Sequence, residues 1–283
     1  MTDRPQSNTA FGVAVLRAVH QLHDGYPRIL DDRVILGLLG TEVTQYVAEN
    51  RERYNDPRAA ALRVHVLLRS RYAEERLQLA VARGVRQLIV LGAGLDTFAY
   101  RQPEWACGIR IFEIDHPASQ QAKVDKLRQA AIAVPENVAF VSVDFEHQTL
   151  SDRLVDHGVD FSVPVFVSCL GVLVYLTTDA VMDVFRFIAS LQRGSECVLT
   201  FGGWARPADS AVASLADMAA AAGEPFLSPM DASAVAELCD TVGLAAPVFP
   251  TTAEILEYMG DRHDALKPPT RSSIASVMVA RAP

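Results

Sequence analysis

Residues 90–101 read VLGAGLDTFAYR, a stretch whose residue types and spacing suggest ligand chemistry. Gly92 and Gly94 flank Ala93, and glycines there let the backbone approach a ligand that a Cβ would meet or whose dihedrals it would forbid. The apolar run just before them predicts a strand. The turn after a strand of a parallel sheet lies at its carboxyl edge, beside the switch point where ligands bind. Asp96 lies in the same turn, either as the cap of the next helix or as an acid facing the ligand. A dinucleotide loop would read GxGxxG, and here Thr97 occupies the third glycine position. An acid beside the loop repels phosphate but suits a neutral or cationic ligand such as a sulfonium.

Two further acid-bearing strand ends follow. FEIDHP places Glu113 and Asp115 two residues apart, on one side of a continuing strand. An acid about 20 residues after the glycine loop can take the two hydroxyls of a ribose; the alternative is a cap for a helix that starts at Pro117. VSVDFE puts Asp144 and Phe145 at the same sheet edge. A carboxylate there can accept from an exocyclic adenine amine, and an aromatic ring can flank the base.

These residues need a sheet to position them. The predicted strands are residues 87–91, 109–113, 138–143, 163–167 and 196–200, separated by helical segments, which implies a parallel sheet covered on both faces. Later come helices at 209–222 and 231–242, the second stopped by Gly243, then strands at 245–249 and 275–280. Residues 10–84 are helical in pattern, with Phe11, Val15, Ala18, Val19 and Leu22 at helical spacing. Asp31 and Asp32 precede a short helix at 34–39 closed by Gly40 and are expected to cap it. The whole reads as one α/β chain: a helical cap over residues 1–84 and a Rossmann-like body over 85–283.

Composition excludes some functions. A hydrophobic content of 50% with 21% charged residues can fill a core without disulfides or metal staples. The net charge of -8 argues against binding nucleic acid through its phosphates. The polar start MTDRPQSNTA and the lack of a long apolar run predict a cytoplasmic protein with no membrane span. Cys107, Cys169, Cys197 and Cys239 show no metal-ligand spacing and are expected to be small buried hydrophobes; no metal site is expected.

The segments GVRQLIVLGAGLDTFAYR, FEIDHPASQQAKVDKL, VSVDFE and LGVLVYLT, in this order, resemble the leucine carboxyl methyltransferase-like family over nearly the whole chain. That family includes bacterial O-methyltransferases of polyketide and other secondary-metabolite pathways. The resemblance implies a class I methyltransferase fold with a mostly parallel seven-stranded sheet, and S-adenosylmethionine as cofactor. By the resemblance Gly92 and Gly94 back its methionine part, Asp115 holds the ribose, and Asp144 with Phe145 addresses adenine. Arg69 resembles the arginine that pairs with the cofactor carboxylate; by the sequence alone it reads equally as a solvated helix arginine. Ala93, Asp96, Glu113, His116, Cys169 and Leu170 complete the implied cofactor set, and Lys123 reads as structural or electrostatic. Two positions depart from the family pattern. Leu170 stands where many members carry an acid that meets the cofactor's amino group, and backbone carbonyls of residues 168–170 can substitute. Phe98 stands where arginine is common.

The expected activity is metal-independent, in-line methyl transfer to a carboxylate or hydroxyl of a small, largely apolar metabolite. The resemblance builds the acceptor pocket from residues 10–26 and an insertion around 202–230 that holds Trp204, Met218 and Phe226. His20, His23, His116, His147 and Tyr175 are candidate bases, none singled out. Two alternatives stay open: a nicotinamide-dependent oxidoreductase, disfavoured by Thr97, and a cofactor-binding protein without turnover, kept alive by Leu170.

Overall fold

The computed structural model describes residues 8–143, 150–202, 220, 223–260 and 273–279. Its strands are β1 (Gln87–Leu91), β2 (Arg110–Asp115), β3 (Val138–Ser142), β4 (Phe166–Cys169), β5 (Glu196–Thr200) and β6 (Ile274–Met278). They form one sheet in the order β3-β2-β1-β4-β5-β6. All neighbouring pairs are parallel except β5 with β6. Because β1 pairs with both β2 and β4, the strand order reverses beside it, and the crevice outside the carboxyl ends of β1 and β4 is the switch point.

Strand residues alternate between two cores, as the period of two requires. Ile89, Leu91, Phe112, Ile114 and Val167 pack with Val181, Phe185 and Ile188 of α7 (Thr178–Ser190) and Val235 of α8 (Ala232–Thr241). Leu88, Val90, Ile111 and Phe166 face Leu67, Leu68 and Leu77 of α4 (Pro57–Ala82) and Ile255 of α9 (Thr252–Met259). Helices therefore cover both faces, with α5 (Pro117–Gln129) and α6 (Leu150–Asp156) completing the crossovers.

The expected seven strands are six among the described residues. At 245–249 only Val248 bridges Ser276. Pro247 and Pro250 flank that bridge, and proline has no N–H to donate to a ladder. The helix expected at 231–242 is present as α8, capped by Asp231 and followed by Gly243 in the left-handed region. The helix expected at 209–222 lies, Ala220 apart, outside the described residues.

The cap consists of α1 (Asn8–His23), α2 (Val34–Leu39), α3 (Thr41–Glu49) and the amino-terminal part of α4. Ala14 and Ala18 of α1 pack with Ile35 and Leu38 of α2 and with Leu95 of the glycine loop, so the cap sits directly on that loop. Asp31 and Asp32 do not cap α2, which has no side-chain cap bond. Asp32 turns inward instead, because the buried Arg17 and Thr97 offer it charged and hydroxyl partners. Among the described residues no helix is long and apolar enough to cross a membrane.

Candidate functional site

The loop after β1 is held from three sides. Ala93 donates its N–H to Ile114 O at 2.9 Å, tying the loop to β2. Gly92 has φ +62, and a Cβ there would stand 2.5 Å from Val172 Cγ2 on the segment after β4. Only a residue without a Cβ lets the two carboxyl-edge loops approach this closely. A Cβ on Gly94 would lie 3.3 Å from Ala10 Cβ, so the first turn of α1 covers the loop from above.

Asp115 ends β2 and is partly exposed. Gly94 donates its N–H to Asp115 Oδ2 at 2.6 Å, and His116 its own N–H to Oδ1 at 2.7 Å. Burial pushes this carboxyl up, against the two amides that favour its ionised form. Each oxygen retains a lone pair for a further donor. The neighbouring acid is placed differently. Glu113 is 1% exposed; Lys123 Nζ lies 2.7 Å from its Oε2, and Tyr100 donates its hydroxyl to the same oxygen at 2.8 Å. Glu113 anchors α5 and Tyr100 within the body, and we leave it out of the cofactor set. His116 caps α5, its Nδ1 accepting from Ala118 N–H at 3.3 Å. Asp144 and Phe145 lie outside the described residues.

Arg69 reaches over from α4. A Cβ on Gly171, where φ is +74, would lie 2.7 Å from its Nη1, so the guanidinium rests on the bare backbone after β4. Gly171 is itself fixed by donating its N–H to Thr200 Oγ1 at 2.6 Å. Arg69 makes no ion pair with an acid among the described residues. Burial lowers its pKa to about 10, with Tyr175 and Asp96 working the other way. An arginine cation resting on the backbone after β4, with no ion-paired acid among the described residues, suits an incoming carboxylate. Cys169 is fully buried and its thiol is pushed up to about 12 by burial, so its side chain belongs to the core and only its backbone borders the site. Leu170 lines the crevice together with Asp96 and Ser168. Phe98 is 5% exposed, packs near Trp105 and lines the same crevice with its apolar ring.

Asp96 combines both of its readings. Its Oδ1 accepts Phe98 N–H at 2.8 Å and starts the turn that follows, while Oδ2 faces Arg17 Nη1 at 3.6 Å. Thr97, the residue at the absent third glycine, is fully buried and serves as a hub: Arg17 and Arg101 donate to its hydroxyl, which donates to Asp32. A glycine could not do this.

Residues 224–227 meet the start of α1 and the segment after β4. The Glu224 carboxylate accepts from Asn8 N–H at 3.1 Å and Thr9 N–H at 3.2 Å, capping α1 with negative charge. Its neighbour Phe226 meets Tyr175 edge to face at 5.4 Å, and Leu227 donates its N–H to Val174 O at 2.7 Å. Trp204, Met218 and His147 lie outside the described residues. Of the candidate bases, His20 has its Nδ1 2.8 Å from Asp24 and its Nε2 accepting Leu30 N–H. His23 bonds Val47 O through Nε2. Burial pushes the Tyr175 phenol up. His65 was not among the candidates, yet it lies one turn before Arg69 on α4 with Nδ1 3.3 Å from Ser273 Oγ, beside the end of β5. Arg17 was missed too, since charge at one position is invisible within an apolar stripe. Among the described residues no group of His, Cys, Asp or Glu side chains could hold a metal ion.

Comparison with known proteins adds a second line. The sequence pattern of the family described as Leucine carboxyl methyltransferase matches residues 10–189. A protein of Bacillus subtilis (strain 168), named "Putative S-adenosyl-L-methionine-dependent methyltransferase YktD", is 31% identical over 269 residues, covering 86% of this chain and 88% of its own. The crystal structure of a duf574 family protein from Streptomyces avermitilis MA-4680 matches with a TM-score of 0.59 at 18% identity, covering 95% of this chain and 97% of that one. A second crystal structure, from Thermobifida fusca YX, gives a TM-score of 0.59 at 18% identity over 99% of this chain and 97% of that one. At this identity the two structures speak to the fold.

Proposed function

Since the chain belongs to the leucine carboxyl methyltransferase family and is a methyltransferase that uses S-adenosylmethionine, we propose that it methylates a carboxylate or hydroxyl oxygen of a small, largely apolar molecule. One observation carries the cofactor half of this reading. Asp115, the Gly92 and Gly94 loop and Arg69, which pairs with no acid among the described residues, converge on the carboxyl edge at the switch point. In the reading proposed here, Asp115 takes the ribose hydroxyls, the loop backs the methionine chain and Arg69 takes the carboxylate, with Ala93, His116 and the backbone at Cys169 and Leu170 shaping the walls. Asp144 and Phe145 remain proposed for adenine on their sequence positions alone.

When bound, the cofactor supplies a methyl group activated by its sulfonium. The chain's part is to hold the acceptor oxygen in line behind that methyl and to exclude water, which can supply most of the acceleration in such a displacement. α1 and residues 223–230 border the space where the acceptor would lie, with Tyr175 and Phe226 as apolar walls. A carboxylate is already ionised at neutral pH and needs no base. Engagement of His20 and His23 in bonds within the cap supports that choice over a base-assisted hydroxyl. The test is to offer methyl-labelled S-adenosylmethionine with a panel of apolar carboxylic acids and phenols, then treat the products with alkali. Base-labile label released as methanol supports a carboxylate acceptor, base-stable label a hydroxyl. Label on nitrogen, or on nucleic acid in preference to every small acceptor, would overturn the proposed acceptor class.

A further inference from the structure

Helix α1 serves two neighbours with two faces. Ala10, Ala14 and Arg17 turn to the glycine loop, where they meet Gly94, Leu95 and Thr97. Phe11 and Val15 follow each of the first two by one residue and are therefore rotated from them by about 100°. With Glu42, Val43 and Tyr46 of α3 and with Tyr54, which ends a short 3-10 turn at Arg51–Tyr54, they line a slot of about 290 Å3 in the cap. That volume is near the lower end of small-molecule sites. Neither residues 223–230 nor Tyr175 line the slot, so it is distinct from the space proposed for the acceptor, which they border.

The walls combine aromatic rings with an acid. Phe11, Tyr46 and Tyr54 present ring systems whose negative faces attract a cation. One such contact is already made: Lys126 of α5 stands with Nζ 5.8 Å from the Phe11 centroid. Arg53 donates Nη1–H to the Tyr46 hydroxyl at 3.1 Å and so fixes that ring. Burial, with Tyr46 beside it, pushes the Tyr54 phenol up, which keeps it a neutral wall. The Glu42 carboxylate has neither an ion pair nor a hydrogen bond among the described residues. Lys126 and Arg53 come near without lining the slot, whereas Glu42 lines it. A carboxylate ligand would meet the charge of Glu42 and the negative ring faces, and an uncharged ligand would leave Glu42 unanswered. A cation satisfies both.

We propose that the slot between α1 and α3 is a second ligand site, separate from the site of methyl transfer, and that it takes an organic ammonium with an apolar body. The three rings, Val15 and Val43 surround the body, and Glu42 meets the charge.

The test is an NMR titration of the full chain with benzylammonium, benzyl alcohol and benzoate, probes of nearly one shape that carry a positive, no and a negative charge. Binding is read from the saturation transferred to their ring protons. Benzylammonium should bind saturably and about fivefold or more tighter than benzyl alcohol. Glu42→Gln should weaken the ammonium by about threefold or more and leave the alcohol within about twofold. Tyr46→Leu keeps apolar bulk and removes a ring face, so it should weaken the ammonium more than the alcohol. Both side chains are exposed, and circular dichroism checks that the variants fold. Equal affinity for the ammonium and the alcohol overturns the proposal, and so does an ammonium affinity that Glu42→Gln leaves unchanged. A preference for benzoate that Tyr46→Leu removes would show that the slot takes an anion instead. Displacement of benzylammonium by S-adenosylhomocysteine would place the cation in the cofactor site and overturn the second one, as would the absence of saturable binding.

Discussion

Asp115 has a structural job beside the ribose contact proposed for it, and this changes what its replacement should show. Because it accepts Gly94 N–H at 2.6 Å, removing the whole side chain would disturb the loop as well as the proposed ribose contact. Asp115→Asn keeps one oxygen and removes the charge, and it should weaken S-adenosylhomocysteine by about 1.5–3 kcal/mol. Calorimetry measures that, with circular dichroism to check the fold. Unchanged affinity would put the ribose elsewhere. Gly94→Val presses its branch toward Ala10, which a Cβ already meets at 3.3 Å. That variant should lose cofactor binding while the sheet remains intact, and a folded variant that still binds would remove Gly94 from the site.

At the scale of elements, α1 is the part that sequence periodicity described least well. Its apolar stripe was legible, and Ala14 and Ala18 are indeed in the core. Its polar anchors were not, because Arg17 finds Thr97 and Asp32, and Asp24 finds Arg63, through tertiary contacts that no local pattern encodes. The same holds for Glu224, which caps α1 from 215 residues away in sequence. By contrast the strand ends were readable, since β-branched runs, the glycine loop and the acids two residues apart are local signals. The seventh strand failed for a local reason that was also on view, the prolines at 247 and 250. If Glu224 fastens α1 over the glycine loop, Glu224→Gln weakens a charge-assisted cap. Hydrogen exchange should then quicken in the amides of Asn8–His23 and leave β1 unchanged. Equal protection in both proteins would show that the cap is held by its apolar contacts alone.

For the whole molecule, pH acts through groups that fold into one protonation state. Burial, with the nearby Arg69 charge, pushes the His65 imidazole down to about 3, whereas in the unfolded chain it protonates near 6.5. As pH falls from about 6.5 toward 3 the unfolded state takes up a proton that the folded state refuses, so stability declines over that window. His65→Gln should make the loss of melting temperature between about pH 7 and pH 5 shallower. An identical acid limb would mean that His65 charges in the folded protein. Binding of cofactor and acceptor at one sheet edge needs no metal in this account, and turnover should survive EDTA; loss on chelation with recovery on added magnesium would contradict it. The central claim is that the switch-point crevice holds S-adenosylmethionine, and titration of the wild-type chain with S-adenosylhomocysteine and, separately, with NAD tests it most directly. The account predicts one-to-one binding of S-adenosylhomocysteine, weakened by Asp115→Asn, and no heat with NAD. Saturable NAD binding with no response to S-adenosylhomocysteine would contradict it.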